Sequence, residues 1–546
     1  MKEFWKNKKE VIFEILAIIL ISLFCFSLAP KTLQNDTYYT VKIGNLIMEN
    51  GIDMKDHFSW HENLPYTYPH WLYDVVMAFI YNLGGWGGIY ISVCIMSIIL
   101  GLTIYIVNKK LNKNQVISFL LTIGVMYLLK DYIAARAQLV TFTLFIVWIY
   151  FIEKFIENPK KIIYAISIIA ISIFIANIHL AVWPLIFVLS LPYIAEYIIC
   201  LLADGVIYRK PYIFIKKLSK KIHIKDMKKV EEIEKKLNDI YLSNEKRKQA
   251  RATSESYKIK MKKNENVKWL IALMLICLLT GFLTPLKTTP YTYLYKTMQG
   301  NTTQNINEHL PLTLIDNIPI MCTIILLIAS VTFTKVKIKL SDLFMLGGLC
   351  YLMFLSKRQS TVFVLIGSII LNRLIVQMME IYSIYKIQEI APKLINIGTI
   401  VITILIVMPY SFKLINDKKD DVYVSEKTYP VKAARWIKEN LDLNNIKLFN
   451  EYNYGSYLLY EGIPVFIDSR ADLYAPEFNG REDDIFMDFI NTSNIGKFYG
   501  STFKKYNITH IILYKNSKIS MLIDKQDKGN YNKIYSDDNF VIYEII

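Results

Sequence analysis

The sequence predicts a polytopic membrane protein, a mainly α-helical bundle of transmembrane helices followed by a small α/β domain. Three observations predict this class. The chain of 546 residues is 53% hydrophobic with a mean hydropathy of +0.30, and its apolar residues are grouped into long blocks. Lysines and arginines lie mainly between the blocks. The blocks stop after residue 412, and short strand-like and helix-like patterns follow.

About eleven blocks are long enough to be candidate membrane spans. They lie at roughly 11–30, 88–108, 115–130, 137–156, 161–178, 183–203, 268–286, 317–334, 340–356, 360–379 and 394–412. The first block resembles a signal peptide, but its apolar run is long and no clear cleavage site follows it, so we expect a retained span. A helix near 71–83 is predicted to be re-entrant or interfacial. Residues 1–412 therefore form the predicted transmembrane domain.

The orientation follows from the connections between the blocks. If each block crosses once, the connections on one side all carry lysine: 109–113, 153–161, 204–267, 334–339 and 384–393. Because basic loops stay in the cytoplasm, we predict a cytoplasmic N-terminus, a first outward loop over 31–87 and an extracytoplasmic domain over 413–546. The same distribution accounts for the formal net charge of +16 without a nucleic-acid partner.

The basic cytoplasmic insert, 204–267, is the longest polar interruption between the apolar blocks. Its core has an apolar residue every three to four positions and neighbours of opposite charge, which predicts a helix with frayed ends or a helical hairpin. Two roles are open for it. It is either a solvated loop that faces lipid headgroups or a surface that binds a partner.

The predicted C-terminal α/β domain alternates strands with helices. A helix is expected to begin at Pro430. Strands are expected at 447–450, 464–468, 509–514, 532–536 and 540–545, with helices within 481–492 and 493–506. All six cysteines lie in the apolar blocks, so no disulfide framework is predicted.

Polar side chains gather at the predicted outer ends of the spans. They are Asp36, His57, His70, Asp74, Asp131, Arg136, Gln138, Asn177, His179, Glu308, His309, Lys357 and Arg358. Because ionisable groups at membrane depth are costly and tend to serve function, this gathering predicts one polar cavity open to the outside. The sequence contains no ATP-binding motif and no zinc-type cluster of His and Cys. Any chemistry therefore needs an activated substrate outside the cell, which indicates a lipid-carried donor.

Several segments in a fixed order resemble the C-type glycosyltransferase (GT-C) superfamily of multi-pass membrane proteins. They are DTYYTVKIGNLIMENGIDMKDHFSW, YPHWLYDVV, ARAQL, ANIHLA, INEHLPL, LSKRQ and, in the tail, NEYNYGSYLLYEGIPVFIDSRADLY. Ala137 stands where the family usually has Pro, and His309 stands where it has Trp. The resemblance covers nearly the whole chain apart from the cytoplasmic insert.

The resemblance implies a transferase in the bacterial cell membrane that moves a sugar from a polyprenyl-phosphate donor to an envelope acceptor at the outer face. The acceptor is a glycolipid, a polysaccharide or a protein. Asp36 maps onto the family's catalytic Asp, a general base for the acceptor hydroxyl. The other implied site residues bind substrate: His70, Asp74, Arg136, Asn177, His179, Glu308, Lys357 and Arg358. Of these, the Arg and Lys side chains would hold the lipid phosphate, and His70, His179 and Glu308 would bind sugar hydroxyls or a divalent metal.

Structural roles compete with these functional ones. Asp36 is also a good N-cap for the helix after it, and His70 and Asp74 are spaced to pair on one helix face. Arg136 and Arg358 are placed to reach headgroups. Most polar residues of the first outward loop are expected to be ordinary loop residues: Asp53, Asp56, His57, His61 and Glu62. Asp468 and Arg470 either form an internal salt bridge or contact the acceptor.

Two other classes of function compete with a transferase. A transporter or lipid flippase predicts inverted repeats and charges near the bilayer midplane, whereas this chain has no visible repeat and its charges lie at span ends. A membrane scaffold with a partner-binding tail would tolerate the loss of Asp36.

Overall fold

The structure is a computed structural model that describes residues 2–203, 227–254, 256–383 and 392–546. Its first three quarters are helical. The helices of four residues or more are Lys2–Leu28, Asn35–Asn50, Trp71–Asn112, Gln115–Leu128, Ala137–Glu157, Ile162–Ile178, Leu185–Ala203, Met227–Thr253, Val267–Leu279, Thr289–Gln299, Thr302–Asn305, Ile318–Phe333, Leu340–Leu355, Ser360–Ile381 and Pro392–Asp417.

Each of the eleven predicted spans coincides with an apolar helix. Six of these are long and apolar enough to cross a membrane: Val11–Leu28, Trp71–Asn112, Ala137–Glu157, Leu180–Ala203, Lys357–Ile381 and Ile397–Asp417. Five are shorter apolar helices: Gln115–Leu128, Ile162–Ile178, Val267–Phe282, Ile318–Phe333 and Leu340–Leu355. The protein is therefore a multi-pass membrane protein. The exact number of helices that cross stays a prediction.

The longest helix, Trp71–Asn112, is two segments joined by a kink at Gly85, where φ is 58° and ψ is −152°. Only glycine adopts this backbone conformation readily. The kink falls between the predicted helix near 71–83 and the predicted span at 88–108. The first segment packs against the Asn35–Asn50 helix, and Gly44 lies at that contact. A Cβ atom at Gly44 would lie 2.0 Å from the carbonyl oxygen of Asp74, so this close approach requires a glycine.

Charged residues of three apolar helices also meet at the ends of these helices that are predicted to be cytoplasmic, a pairing that the sequence did not lead us to expect. Arg373 forms ion pairs with Glu153 and Asp342, each at 2.6 Å, and thereby connects three helices. Nearby, Asn372 donates hydrogen bonds to Asn108 Oδ1 at 3.2 Å and to Ser118 Oγ at 2.9 Å. These pairings satisfy polar groups that would otherwise be costly in an apolar interior.

The predicted helix of the cytoplasmic insert is confirmed over Met227–Thr253, whereas 204–226 lie outside the described residues. After this helix, strand β1 (Ile259–Lys260) pairs in parallel with strand β2 (Ile338–Lys339). The insert is thereby joined to the connection that precedes the Leu340–Leu355 helix.

The C-terminal region contains a four-stranded sheet of order β3-β4-β6-β5, with β3 (Leu448–Phe449), β4 (His510–Tyr514), β5 (Tyr531–Ser536) and β6 (Phe540–Ile545). The β3–β4 pair is parallel and the other two pairs are antiparallel. The helices of this region are Val431–Asn440, Tyr452–Tyr460, Pro476–Asn479, Ile485–Ser493, Tyr499–Lys505 and Lys518–Gln526.

Four of the five strands predicted here form, but the strand predicted at 464–468 does not. Its backbone is bonded elsewhere. The amide of Val465 donates to the carbonyl of Phe58, and the amide of Trp60 donates to the carbonyl of Val465, both at 3.3 Å. The amide of Phe466 donates to Asn450 Oδ1 at 2.8 Å. This segment therefore binds the first outward loop instead of joining the sheet.

Candidate active site

Asp36 lies in the first turn of the Asn35–Asn50 helix. Gln34 is the N-cap of that helix, so the prediction that Asp36 caps it is wrong. A carboxylate in the first turn is still favourable, because the N-terminal end of a helix carries partial positive charge. Asp36 Oδ2 lies 2.8 Å from Arg136 Nε. Its other oxygen, Oδ1, makes no hydrogen bond with any residue that the structure describes.

Arg136 joins Asp36 to Glu308. It precedes the Ala137–Glu157 helix, and its Nη1 lies 2.6 Å from Glu308 Oε1. Burial lowers the pKa of Arg136, but the two carboxylates outweigh burial and raise it above its ordinary value. Burial raises the pKa of Glu308, but Arg136 and Arg358 outweigh this and hold it below its ordinary value. Arg136 and Glu308 are therefore both charged near neutral pH.

Arg358 is the second guanidinium of the site. It is half-buried in the short 3-10 turn Lys357–Gln359 and makes no ion pair with a carboxylate among the described residues. Burial is the main cause of the lowered pKa values of His70 and His179, and the charge of Arg358 lowers them further. The same charge, together with that of Arg136, lowers the pKa of Glu308.

Lys357 contributes its backbone to the site, because its amide donates to the carbonyl of Leu310 at 2.8 Å. This bond connects the turn that carries Arg358 to the segment that carries Glu308. No described partner is found for the ammonium group of Lys357, so its predicted contact with phosphate stays a prediction.

Two histidines form one side of the site. The ring of His70 lies 6.3 Å from that of Tyr39 and 5.6 Å from that of His179. Burial and the nearby arginines lower the pKa of His70 to about 4, and burial with His70 and Arg358 lowers the pKa of His179 well below its ordinary value. Both rings are therefore neutral near pH 7, and each offers one donor and one acceptor nitrogen.

Asp74 is fully buried, and its Oδ2 lies 4.0 Å from His70 Nδ1, which is too far for a hydrogen bond. Neither carboxylate oxygen has a hydrogen-bond partner among the described residues. The predicted pairing of His70 with Asp74 is thus not formed. Because Asp74 has no exposed surface here, its predicted contact with substrate stays a prediction.

Asn177 has a structural role in this arrangement. Its Oδ1 accepts from Trp71 Nε1 at 3.2 Å, and its Nδ2 donates to the carbonyls of Ile173 and Leu283 at 2.8 and 2.9 Å. The protein satisfies both ends of the amide, and the predicted contact of Asn177 with substrate stays a prediction. Asn177 holds the start of the Trp71–Asn112 helix, beside His70.

The first outward loop is fixed to the C-terminal region by a buried ion triad. Arg470 lies 2.7 Å from Asp56 and 2.7 Å from Asp468, and all three side chains are at most 2% exposed. Burial raises the pKa of Asp56, but Arg470 and the hydrogen bonds from Ser59 outweigh it and lower that pKa. The predicted internal salt bridge of Asp468 with Arg470 is confirmed.

The prediction that Asp56 is an ordinary loop residue is wrong, whereas His61 lies in the loop as predicted and is buried there. Asp56 belongs to the buried triad, and His61 is only 7% exposed, with its Nε2 2.9 Å from the carbonyl of Phe466. The Asp56–Ser59 turn offered a signal, since a carboxylate that caps its own turn has a fixed orientation. Nothing in the local sequence indicates that Asp56 and His61 are covered by the segment around Phe466 and Arg470, about 400 residues further along the chain.

Asp472 and Tyr293 form a further buried pair that the sequence analysis did not include among the residues of the candidate active site. Tyr293 donates its hydroxyl to Asp472 Oδ2, and Thr302 donates to Asp472 Oδ1 at 3.4 Å. Burial raises the pKa of Asp472, while Tyr293, Thr302 and Arg358 partly oppose that rise. On the other side, Asn35 donates to the carbonyl of Tyr452 at 2.9 Å. The C-terminal region therefore contacts the segment that carries Asp36 and the segment that carries Tyr293 and Thr302.

A metal site is not apparent in the part of the chain that the structure describes, where no three His, Cys, Asp or Glu side chains are grouped closely enough to hold a metal ion. Asp36 and Glu308 instead share the guanidinium of Arg136. Whether the protein uses a divalent metal stays open.

No protein-family model and no curated protein sequence matches the chain. Its structure is similar to that of the archaeal oligosaccharyltransferase AglB from Archaeoglobus fulgidus in complex with an inhibitory peptide and dolichol-phosphate. The TM-score is 0.54 at 10% identity, over 94% of this chain and 70% of that one. ArnT from Cupriavidus metallidurans bound to undecaprenyl phosphate gives a TM-score of 0.48 at 9% identity, over 98% of both chains. The first likeness is one of fold, and it agrees with the predicted architecture of a helical membrane domain followed by a smaller C-terminal region.

Proposed function

We propose that this protein transfers a glycosyl group from a polyprenyl-phosphate donor to a hydroxyl-bearing envelope acceptor at the outer face of the membrane. The observation that carries the proposal is the Asp36–Arg136–Glu308 triad with Arg358 beside it. The site thus places a carboxylate with a free oxygen near a guanidinium that has no carboxylate partner among the described residues. The first group suits a proton acceptor and the second suits a phosphate ligand.

In the proposed reaction, the acceptor oxygen attacks the anomeric carbon of the sugar. The bond from that carbon to the phosphate oxygen breaks, and polyprenyl phosphate leaves with the electron pair. The acceptor proton passes to Asp36 Oδ1, which accepts no hydrogen bond from a described residue. Arg136 holds the other oxygen at 2.8 Å and so orients the carboxylate for this transfer.

Arg358 would stabilise the negative charge that develops on the departing phosphate, with Lys357 as a second cation. Because Arg358 does not have to break an ion pair with a carboxylate first, its guanidinium can bind the charged phosphate without reorganisation. The neutral rings of His70 and His179 would hydrogen-bond sugar hydroxyls. Glu308 fixes Arg136 from the opposite side and is therefore proposed as a positioning residue that acts on Asp36 through Arg136.

The test compares Asp36→Asn with Asp131→Asn in the native host. Asp131 is exposed in a short turn beside the site and makes no ion pair in the described part of the chain. Mass spectrometry would measure envelope glycans and polyprenyl-phosphate sugars. We expect Asp36→Asn to lower product by about 100-fold or more, as for the loss of a general base, with accumulation of the lipid-linked donor. Asp131→Asn should match the wild type. Unchanged glycans in an inserted Asp36→Asn protein would contradict the proposal.

A further inference from the structure

A second polar cavity lies at the other end of the helical region, with a volume of about 630 Å³. It is bounded by the Met227–Thr253 helix, by β1 and β2, and by the end of the Leu185–Ala203 helix. Its basic lining residues are Arg247, Lys248, Arg251, Lys260, Lys262 and Lys337. None of the described residues that line it is acidic.

This cavity is separate from the candidate active site. Gln377 lines the cavity, whereas Arg358 lies just before the other end of the same helix, Ser360–Ile381. The 19 residues between them span about 28 Å at 1.5 Å per residue. The cavity therefore opens on the face predicted to be cytoplasmic, and the proposed transferase site opens on the opposite face.

Local contacts fix some of the lining. Lys337 donates from Nζ to the carbonyls of Ala252 and Ser254 at 3.0 and 2.9 Å, and so fixes the end of the Met227–Thr253 helix. The Arg251 guanidinium lies 5.5 Å from the centre of the Tyr257 ring. These contacts order the segments around the cavity, and neither Lys337 nor Arg251 forms an ion pair with a carboxylate in the described part of the chain.

Three further cations remain available to a ligand. Arg247, Lys260 and Lys262 are exposed, and none of them forms an ion pair with a carboxylate of the described residues. Basic residues in a cytoplasmic loop are explained by orientation alone. Two carboxylates lie nearby, since Glu245 pairs with Lys248 at 3.7 Å and Glu196 accepts from the backbone amide of Lys262 at 3.3 Å. Orientation does not explain why six basic residues converge on one cavity. Two acids offset only part of their mutual repulsion, and an anionic ligand would offset more of it.

The cavity also has an apolar wall. Cys200 and Ala203 come from the end of an apolar helix, and Ile259 and Met261 come from the segment around β1. Cations beside an apolar helix end suit a ligand with a phosphate head, because basic pockets at this depth bind anionic headgroups. Arginine adds a planar fork that matches phosphate oxygens.

We propose that this cavity binds a phosphate-bearing anion, with Arg247, Lys260 and Lys262 as its principal ligands. Two sources offer the same chemistry, namely the headgroup of an anionic phospholipid and a small soluble phosphate compound. The apolar wall suits the lipid, and the open mouth admits either.

The test uses the full-length purified protein in detergent and two probes. Native mass spectrometry would measure the binding of dioleoyl-phosphatidylglycerol against dioleoyl-phosphatidylcholine, and titration calorimetry would measure the binding of inorganic pyrophosphate. The lining variant carries Arg247→Gln, Lys260→Gln and Lys262→Gln. The matched control carries Lys235→Gln, Lys236→Gln and Lys246→Gln, which remove the same charge from exposed positions that do not line the cavity.

We expect at least one anionic probe to bind, and the lining variant to weaken it tenfold or more while the control changes it less than twofold. Saturation by phosphatidylglycerol alone would assign the lipid source, and saturation by pyrophosphate would assign the soluble one. Failure of both probes to bind, or equal weakening in both triple variants, would overturn the proposal. Should the lining variant not fold, Arg247→Gln alone is measured, with a threefold loss expected and an unchanged affinity counting against the site.

Discussion

At the scale of single residues, the sequence predicted the members of the candidate site better than their pairings. Asp36, Arg136, Glu308 and Arg358 were all found because charge beside an apolar span is costly. That Arg136 bridges Asp36 and Glu308 depends on how helices 100 to 270 residues apart pack, and local patterns carry no information on this. The hydrogen bonds of Asn177 to Trp71 and Leu283 are likewise absent from local patterns, since a polar residue at a span end is suited both to bind substrate and to hold a neighbouring helix.

The Arg470 triad leads to a prediction about stability. Arg470→Gln leaves the buried carboxylates of Asp56 and Asp468 without their cation, and breaking a buried pair in this way costs about 3–5 kcal/mol. The control is Lys438→Gln, which removes a partly exposed pair with Glu461, for which about 0–1 kcal/mol is expected. Thermal unfolding of the purified protein should show a clearly lower midpoint for Arg470→Gln alone. Equal midpoints for the two variants would mean that the triad adds no net stability.

The same triad sets a pH dependence. The folded-state pKa of Asp56 is lowered, so its contribution to stability is fully present above the ordinary carboxyl range and is lost as the pH falls through the lowered value. Between neutral and mildly acidic pH, the unfolding midpoints of the wild type and of Asp56→Asn should therefore change with pH in the same way. Stronger acid should destabilise the wild type more than this variant, as read from unfolding midpoints across a pH series.

At the scale of elements, the apolar helices were predictable because about 20 apolar residues have few alternatives to a membrane helix. The conformation of the segment 464–468 was not predictable, because its hydrophobic run has the composition of a strand. Its hydrogen-bond partners, Asn450 and the loop around Phe58, are known only once the fold is assembled. The contact at Gly44 is likewise invisible in the sequence, since an added Cβ atom would meet close neighbours at some glycines, such as Gly455, and nothing within 4 Å at others, such as Gly124.

Gly44 provides a test of how helix packing places the candidate site. In Gly44→Ala the added methyl group would lie 2.0 Å from the carbonyl oxygen of Asp74, so the Asn35–Asn50 helix must move away. Overpacking of this kind costs about 1–3 kcal/mol. We expect reduced formation of glycan product although Asp36 itself is unchanged. The matched control is Gly124→Ala, where a Cβ atom meets nothing within 4 Å. Wild-type activity in inserted Gly44→Ala would show that the spacing of this helix does not matter.

At the scale of the whole molecule, the first outward loop and the C-terminal region form one connected structure. Trp60 donates to the carbonyl of Leu448 at 3.0 Å, and Arg470 reaches Asp56. These two parts must therefore lie on the same side of the membrane, whichever side that is. The cavity of basic residues is attached to the opposite ends of the helices, so the two sites cannot share a face.

This arrangement makes the predicted orientation testable with two cysteines. Ser501 is exposed in the C-terminal region and Ser243 is exposed on the helix of the insert. Cys322, the exposed native cysteine, would first be replaced by Ser to lower the background. In intact cells, a membrane-impermeant maleimide should label Ser501→Cys, whereas Ser243→Cys should be labelled only after permeabilisation. Labelling of both positions from outside would require an even number of crossings between them and contradict the eleven-span arrangement. Labelling of Ser243→Cys alone would invert the protein and move the proposed transfer reaction to the cytoplasmic face.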